Sequence, residues 1–191
     1  MNFTRLLLAF VLAPISISEA ALKLPAIFGD HMVLQQKLAN PIWGWDTPGR
    51  QIVVTFAQQS HSTNVGSDGK WTVRLNPEPA STQPRILMIE GSSMREIKDV
   101  LVGEVWMCSG QSNMAFRVAN NFNGEVEVAA AHWPKIRLIR VPSVGTQELQ
   151  SDFVGEWRAC TPESARTFSP HISCFLRPFS GVCRRTDGEL A

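Results

Sequence analysis

The stretch GEVWMCSGQSNM, residues 103–114, dominates the expected fold, because an apolar run leads straight into a small polar turn that contains glycine. With the apolar residues 100–102 ahead of it, the run 105–107 is nearly continuous, which suits a strand buried on both faces of a parallel sheet. Ser112 would then lie at the carboxyl end of that strand, where α/β folds place their chemistry. The alternative is an ordinary strand-to-helix loop with a capping serine.

Two further motifs accompany this stretch: LPAIFGDHMVLQQ at 24–36, followed by PIWGW at 41–45, and WRACTPESARTFS at 157–169. Taken together and in this order, the blocks resemble the sialate O-acetylesterase family of the SGNH hydrolase superfamily. The block with Ser112 is similar to the nucleophile block of that family, and the first motif is similar to the family's opening. The resemblance covers most of residues 22–169 and stops there.

The resemblance implies that Ser112 is the nucleophile of a serine esterase that removes acetyl groups from sugar hydroxyls, above all on sialic acid. It implies an acetyl-serine intermediate and neither a metal nor an organic cofactor. A serine hydroxyl is a weak nucleophile until a positioned base takes its proton. In the family, that base is a His near the far end of the chain, oriented by an Asp, and a later Gly and Asn complete the oxyanion hole.

None of those later blocks is visible in this sequence, so we expect the chain to lack the catalytic Asp and His and to be catalytically incomplete. The histidines lie in none of the family's catalytic contexts and are expected to be structural or exposed: His31, His61, His132 and His171. Asp99 is expected to be a surface or turn residue. Translation of the other reading frames after codon 169 would test the hypothesis that residues 170–191 are a frameshifted or alternatively spliced tail.

The amino terminus has the pattern of a secretory signal peptide over residues 1–21, with Arg5 ahead of the apolar run 6–15 and cleavage near Ala20 or Ala21. The run is shorter than the roughly 20 apolar residues that a membrane span needs. We therefore expect a secreted or lysosomal protein without a membrane anchor. In such a compartment four cysteines could pair in three ways, which the sequence leaves open: Cys108, Cys160, Cys174 and Cys183. Cys108 fits a buried apolar residue of its strand equally well.

The net charge of the chain is +1, and charged residues make up 18% of it, with no basic cluster longer than Arg184-Arg185. This balance gives no electrostatic support for a nucleic-acid or anionic-membrane partner. The resemblance instead implies an acetylated sugar as the partner.

Residues 22–98 have an all-β pattern. Short strands are predicted at 52–56, 71–75 and 86–89, and turn residues separate them at 47–49, 67–70 and 91–93. A small β-sandwich is the natural way to bury such strands. Its tryptophans are expected in the core rather than on a sugar-binding face: Trp43, Trp45 and Trp71.

Residues 99–169 have an α/β pattern, with a helix at 124–133 that ends before Pro134, a strand at 135–141, and a second helix that Thr161 caps and Pro162 begins. The expected fold class is a β-sandwich followed by an incomplete flavodoxin-like α/β hydrolase domain. A second interpretation is a non-catalytic carbohydrate-binding or interaction protein in which only the sandwich folds competently.

Overall fold

A computed structural model of the protein describes residues 21–169. Residues 1–20 of the predicted signal peptide and the predicted tail from Pro170 lie outside the described residues, so those predictions are not addressed by it. The strands are β1 Val33–Gln35, β2 Pro41–Trp45, β3 Gln51–Phe56, β4 Gln59–Asn64, β5 Lys70–Arg74, β6 Ser81–Glu90, β7 Met94–Gly103, β8 Trp133–Leu138 and β9 Arg158–Cys160; the α-helices are α1 Gly124–Ala129 and α2 Pro162–Arg166.

Five strands form one mixed sheet in the order β1-β7-β6-β3-β4, in which β1 and β7 are parallel and the other neighbours are antiparallel. A second sheet consists of the antiparallel pair β2 and β5. The strands predicted at 52–56 and 86–89 are confirmed as parts of β3 and β6, and the strand predicted at 71–75 is confirmed as β5 except for Leu75, which lies beyond its end. The alternation in β3 places Ile52, Val54 and Phe56 inside, as a strand with one buried face requires.

The two sheets share one hydrophobic core. Ile42 and Trp71 of the smaller sheet and Val54, Phe56 and Leu87 of the larger one belong to a single cluster of buried side chains. The structure thus has the layered arrangement in which each sheet buries its apolar face against the other.

Among the tryptophans of the smaller sheet, the core prediction is confirmed for Trp71, which is 3% exposed. Trp43 and Trp45 are half-buried instead, because Ile42 and Gly44 take the inward positions of β2 and successive side chains point to opposite faces. The rings of Phe28 and Trp43 pack in a T-shaped arrangement with 4.5 Å between their centroids.

Strand β7 differs from the prediction at both ends. It continues past residue 98, where the sequence indicates a domain boundary, and ends at Gly103. The expected strand through 105–107 is wrong, because these residues have no regular structure and Trp106 and Met107 are 52% and 94% exposed. No described strand pairs with residues 105–107 through its backbone, so they do not continue the sheet beyond Gly103.

The remaining elements pack around a smaller cluster of buried side chains formed by Ala131, Leu138, Cys160 and Ala165. We call this part, residues 118–169, the second unit. Its strands β8 and β9 pair antiparallel, and β9 is a short strand that the sequence did not predict. A parallel pair needs a crossover, usually a helix, and the chain between β8 and β9 contains none.

Helix α1 is also shorter than predicted, ending at Ala129, and β8 starts at Trp133, before the proline that should have separated helix from strand. Pro134 fits there because the β8–β9 register shifts between Trp133 and Arg137, and such irregular positions tolerate a residue without an N–H. The predicted cap of α2 is confirmed. Thr161 Oγ1 accepts the Ser164 N–H, and Ser164 Oγ accepts the Thr161 N–H.

Within residues 21–169, no helix is long and apolar enough to cross a membrane.

Candidate active site

Ser112 is exposed and is the first residue of a short 3₁₀ helix, Ser112–Ala115. The sequence predicts Ser112 at the carboxyl end of the strand. In the structure the irregular segment 104–111 lies between the end of β7 and Ser112, so the strand does not hold the serine directly. The N–H of Met114 donates to the Gln111 carbonyl at 2.9 Å and closes the turn. A Cβ on Gly110 would lie 2.9 Å from Met114 Cγ, so the tight turn favours glycine there.

One end of the segment that carries Ser112 is fixed by Gln35 of β1. Gln35 Oε1 accepts the Val105 N–H at 2.7 Å, and Gln35 Nε2 donates to Glu104 Oε2 at 3.1 Å. The amide of Gln36 donates to the other oxygen of Glu104. These amide donors lower the pKa of Glu104, Gln35 foremost. The first sequence motif and the motif with Ser112 therefore meet in space.

The other end of this segment is fixed in the second unit. Val118 is buried, and its N–H donates to the carbonyl of Phe168 at 2.9 Å. Phe168 belongs to the third sequence motif, and α2 beside it is joined to α1 by the bidentate pair of Arg166 with Glu125. We call residues 104–117 the serine loop, because the chain between these two anchors carries Ser112.

No histidine side chain among residues 21–169 donates to or accepts from Ser112. His31 Nδ1 lies 2.6 Å from Asp99 Oδ2, and His61 Nε2 lies 3.0 Å from Gln59 Oε1. His132 is exposed, and His171 lies outside the described residues. The described chain thus places the nucleophile of the predicted chemistry without a base beside it.

The sequence did not indicate the cluster in which His31 lies. Asp99, expected to be a surface residue, is 27% exposed and also receives Arg137 Nη2 at 2.8 Å. His31, Asp99 and Arg137 come from three distant parts of the chain, so no local pattern could have brought them together. The charge of Asp99 and the half-buried pattern of β8 were visible, but not their proximity.

Both described cysteines are free thiols. Cys108 is exposed in the serine loop, so its interpretation as a buried strand residue is wrong, for the same reason that 105–107 are uncovered. Cys160 is buried, and burial raises the pKa of its thiol to about 11, which keeps it protonated and unreactive at neutral pH. Residues 21–169 contain no group of three or more His, Cys, Asp or Glu side chains suited to a metal ion.

Comparison with known proteins finds similar sequences among sialate O-acetylesterases. The chain is 31% identical to the sialate O-acetylesterase of Homo sapiens over 151 residues, which is 71% of this chain and 29% of that protein. It is 34% identical to the enzyme of Pongo abelii over 152 residues, with the same two coverages. The chain thus spans less than a third of the length of these curated relatives. No protein-family model matches it.

The structure is similar to the crystal structure of a carbohydrate acetylesterase from Xanthomonas citri. The TM-score is 0.79 at 34% sequence identity, and the match covers 85% of this chain and 38% of that one. The sequence and structure comparisons indicate the same family as the three motifs do. Two of these motifs meet at the start of the serine loop. The resemblance of this chain to the sialate O-acetylesterase family is therefore confirmed.

Proposed function

We propose that Ser112 is the acetyl-accepting nucleophile of an esterase that removes acetyl groups from sugar hydroxyls. The observation that carries the proposal is the position of Ser112, which is exposed in the serine loop, and the two ends of this loop are anchored to separate parts of the fold. Similarity to sialate and carbohydrate acetylesterases supports the substrate class. Acetylated sialic acid or another acetylated glycan is the proposed partner, and neither nucleic acid nor membrane is.

In the proposed reaction, Ser112 Oγ attacks the carbonyl carbon of the acetyl ester and its proton passes to a base. The sugar alcohol leaves with a proton, and Ser112 holds the acetyl group as an ester. Water then attacks this ester, which releases acetate and restores the hydroxyl. The chemistry needs no metal or organic cofactor.

We further propose that residues 22–98, with the continuation of β7 to Gly103, form a β-sandwich domain, and that residues 104–169 are part of an SGNH-type α/β hydrolase domain. Two sheets with one core support the first assignment, and the structural match over 85% of the chain supports the second. On the pattern of residues 1–21 we also propose secretion or lysosomal delivery.

The polypeptide 1–191 should turn over acetyl esters at close to the background rate. Ser112 has no histidine partner among residues 21–169, and loss of one oxyanion donor alone costs about 10²- to 10³-fold in turnover. The members of a catalytic triad act as a unit, so losses are not additive. The lack of a histidine partner for Ser112 among the described residues also favours the second candidate, a non-catalytic carbohydrate-binding or interaction protein.

Chemical rescue separates the two candidates. The purified protein is incubated with a chromogenic aryl acetate, with and without imidazole as an added base, and acetylation is mapped by peptide mass spectrometry. A nucleophile without its base should gain acetyl on Ser112 in an imidazole-dependent manner. The matched control is Ser109, an exposed serine of the same loop, compared through Ser112→Ala and Ser109→Ala.

Acetylation spread equally over Ser109 and Ser112, or unchanged by imidazole, would contradict the proposed nucleophile. Binding to an immobilised acetylated sialoglycan that persists in Ser112→Ala would then favour the non-catalytic candidate. Rapid turnover without imidazole, abolished in Ser112→Ala, would support the enzyme and show that a base is present after all.

A further inference from the structure

The cluster of His31, Asp99 and Arg137 is the most unusual polar arrangement among the described residues. Two of its members, His31 and Asp99, have positive φ angles of 68° and 55°, a left-handed conformation that is strained for a non-glycine residue. Asp99 lies where the register between β7 and β6 shifts. This irregularity interrupts the alternation of inward and outward side chains along β7. Such strain persists only where surrounding contacts hold it.

Arg137, the third member, is unusual in its burial. Its side chain is only 5% exposed, and Asp99 Oδ2 is its acceptor at 2.8 Å. Within residues 21–169, Nε and Nη1 of this guanidinium are buried without a hydrogen-bond partner. Asp99 is thus the carboxylate that neutralises a buried cation, and a buried charge without its partner is strongly unfavourable.

The three residues connect different parts of the fold. Asp99 lies on β7 of the five-stranded sheet, and His31 lies in the turn before β1, where its N–H also donates to the Lys98 carbonyl at 2.9 Å. Arg137 lies on β8 of the second unit. Two other contacts join the same parts: Trp157 Nε1 donates to the Ile27 carbonyl, and Asp152 Oδ1 accepts the Ala26 N–H, both at 2.8 Å. The ion pair of Asp99 with Arg137 is a third contact between these parts.

We propose that Asp99 is a positioning residue for Ser112, acting through Arg137. The serine loop is anchored to the sheet at Val105 and to the second unit at Val118. The orientation of the second unit therefore sets the distance that this loop must span, and with it the place of Ser112. Asp99 fixes that orientation by holding Arg137, and His31 holds Asp99. Its relevance to catalysis rests on the proposed function of Ser112.

Hydrogen–deuterium exchange of the full chain tests this proposal without an activity assay. Asp99→Asn keeps the size of the side chain, and Asn tolerates a positive φ, so the change removes charge and adds no backbone strain. We expect exchange to rise about tenfold or more in β8 and at the hydrogen-bonded Val105 and Met114 amides of the serine loop, because Arg137 is left buried and unpaired. Strand β3, in the centre of the core, should keep its protection.

A double variant supplies the decisive comparison. Arg137→Met removes the buried charge but keeps much of the volume, so Asp99→Asn combined with Arg137→Met should return exchange in both segments to within about threefold of the parent protein. Asp68→Asn is the matched control, since Asp68 is exposed, its ion pair with Lys70 spans 3.9 Å, and an Asn side chain can still accept the Lys70 N–H.

Three results would overturn the proposal: unchanged exchange in Asp99→Asn, an equal rise in β3, or a double variant worse than either single one. Restoration of the serine loop by the double variant is a result that mere loss of stability would not produce. Failure of the proposed function would appear separately, as the absence of imidazole-dependent acetylation at Ser112 in the parent protein.

Discussion

The carboxylate of Asp46 ties the end of β2 to the turn between β6 and β7, because its Oδ2 accepts the N–H of Ser92 at 2.8 Å. Its Oδ1 accepts the Thr47 N–H at 2.6 Å, and the residue is 1% exposed. Burial raises the pKa of Asp46, but the hydrogen bonds from Ser92 and Thr47 and the charge of Arg50 together outweigh it and lower the pKa. The carboxylate is therefore stabilised in its charged form.

A lowered pKa makes Asp46 a source of acid sensitivity. Its contribution to stability is fully present above its unfolded pKa of about 3.9 and is lost as the pH falls through the lower pKa of the folded state. We expect Asp46→Asn to lower the free energy of unfolding by about 1–3 kcal/mol at pH 7. Urea unfolding at pH 3 to 7 should show this difference shrinking below about pH 4, whereas a constant difference would contradict the assignment.

Gly91 is predicted to be intolerant of a side chain. A Cβ at this position would collide with Asp46 Oδ2 and lie 2.7 Å from Ile52 Cδ1, both in the packed interior. Gly91→Ala should lower the free energy of unfolding by about 1–3 kcal/mol through overpacking. Gly145→Ala is the control, since nothing lies within 4 Å of its Cβ. Equal midpoints of thermal unfolding for the two variants would disprove the close contact.

The contact between Gln35 and Glu104 can be tested by NMR titration of the Glu104 carboxyl group. Gln35→Leu removes the first donor, so the pKa of Glu104 should rise toward its ordinary value. Gln35→Glu should also raise the pKa of Glu104, because the donor is replaced by a second carboxylate, but it keeps an acceptor for the Val105 N–H. Protection of the Val105 amide should therefore be lost in the Leu variant only. Gln83→Leu, on exposed β6 surface, should change neither, and an unmoved Glu104 pKa in both Gln35 variants would refute the contact.

Limited proteolysis should begin in the serine loop. Trp106 and Met107 are exposed in irregular chain, so chymotrypsin should cut there first and leave a resistant fragment that ends just beyond Gly103. The two pieces should still elute together, because Trp157 of the second unit is buried in the shared core of the sheets. Resistance of the whole chain, or a first cut inside β6 or β7, would argue against this organisation.

Local sequence patterns predicted the elements whose cause is local. The alternation of Ile52, Val54 and Phe56 marks β3 because side chains alternate along any strand. Thr161 and Pro162 mark the start of α2 because the first turn of any helix leaves N–H groups without partners. These features need no knowledge of the rest of the chain.

The predictions that failed depend on distant residues. The apolar run at 105–107 has the composition of a buried strand, but a strand also needs a backbone partner, and in the described chain the pairing of β7 with its neighbours ends by Gly103. The break in register that admits Pro134 to β8 is likewise a property of the pair and not of the segment. For the candidate site, Ser112 follows from its motif, while its anchors at Gln35 and Phe168 come from contacts that no spacing indicates.

The parallel pairing of β1 with β7 also fixes an order of events during synthesis. Val33 pairs with Leu101, a partner made 68 residues later. At about 5–20 residues per second, the ribosome needs roughly 3 to 14 s to supply it. Until then Met32 and Leu34, both buried in the finished fold, have no strand to cover them. Residues 32–35, which later anchor the serine loop through Gln35, are therefore exposed to chaperones for those seconds.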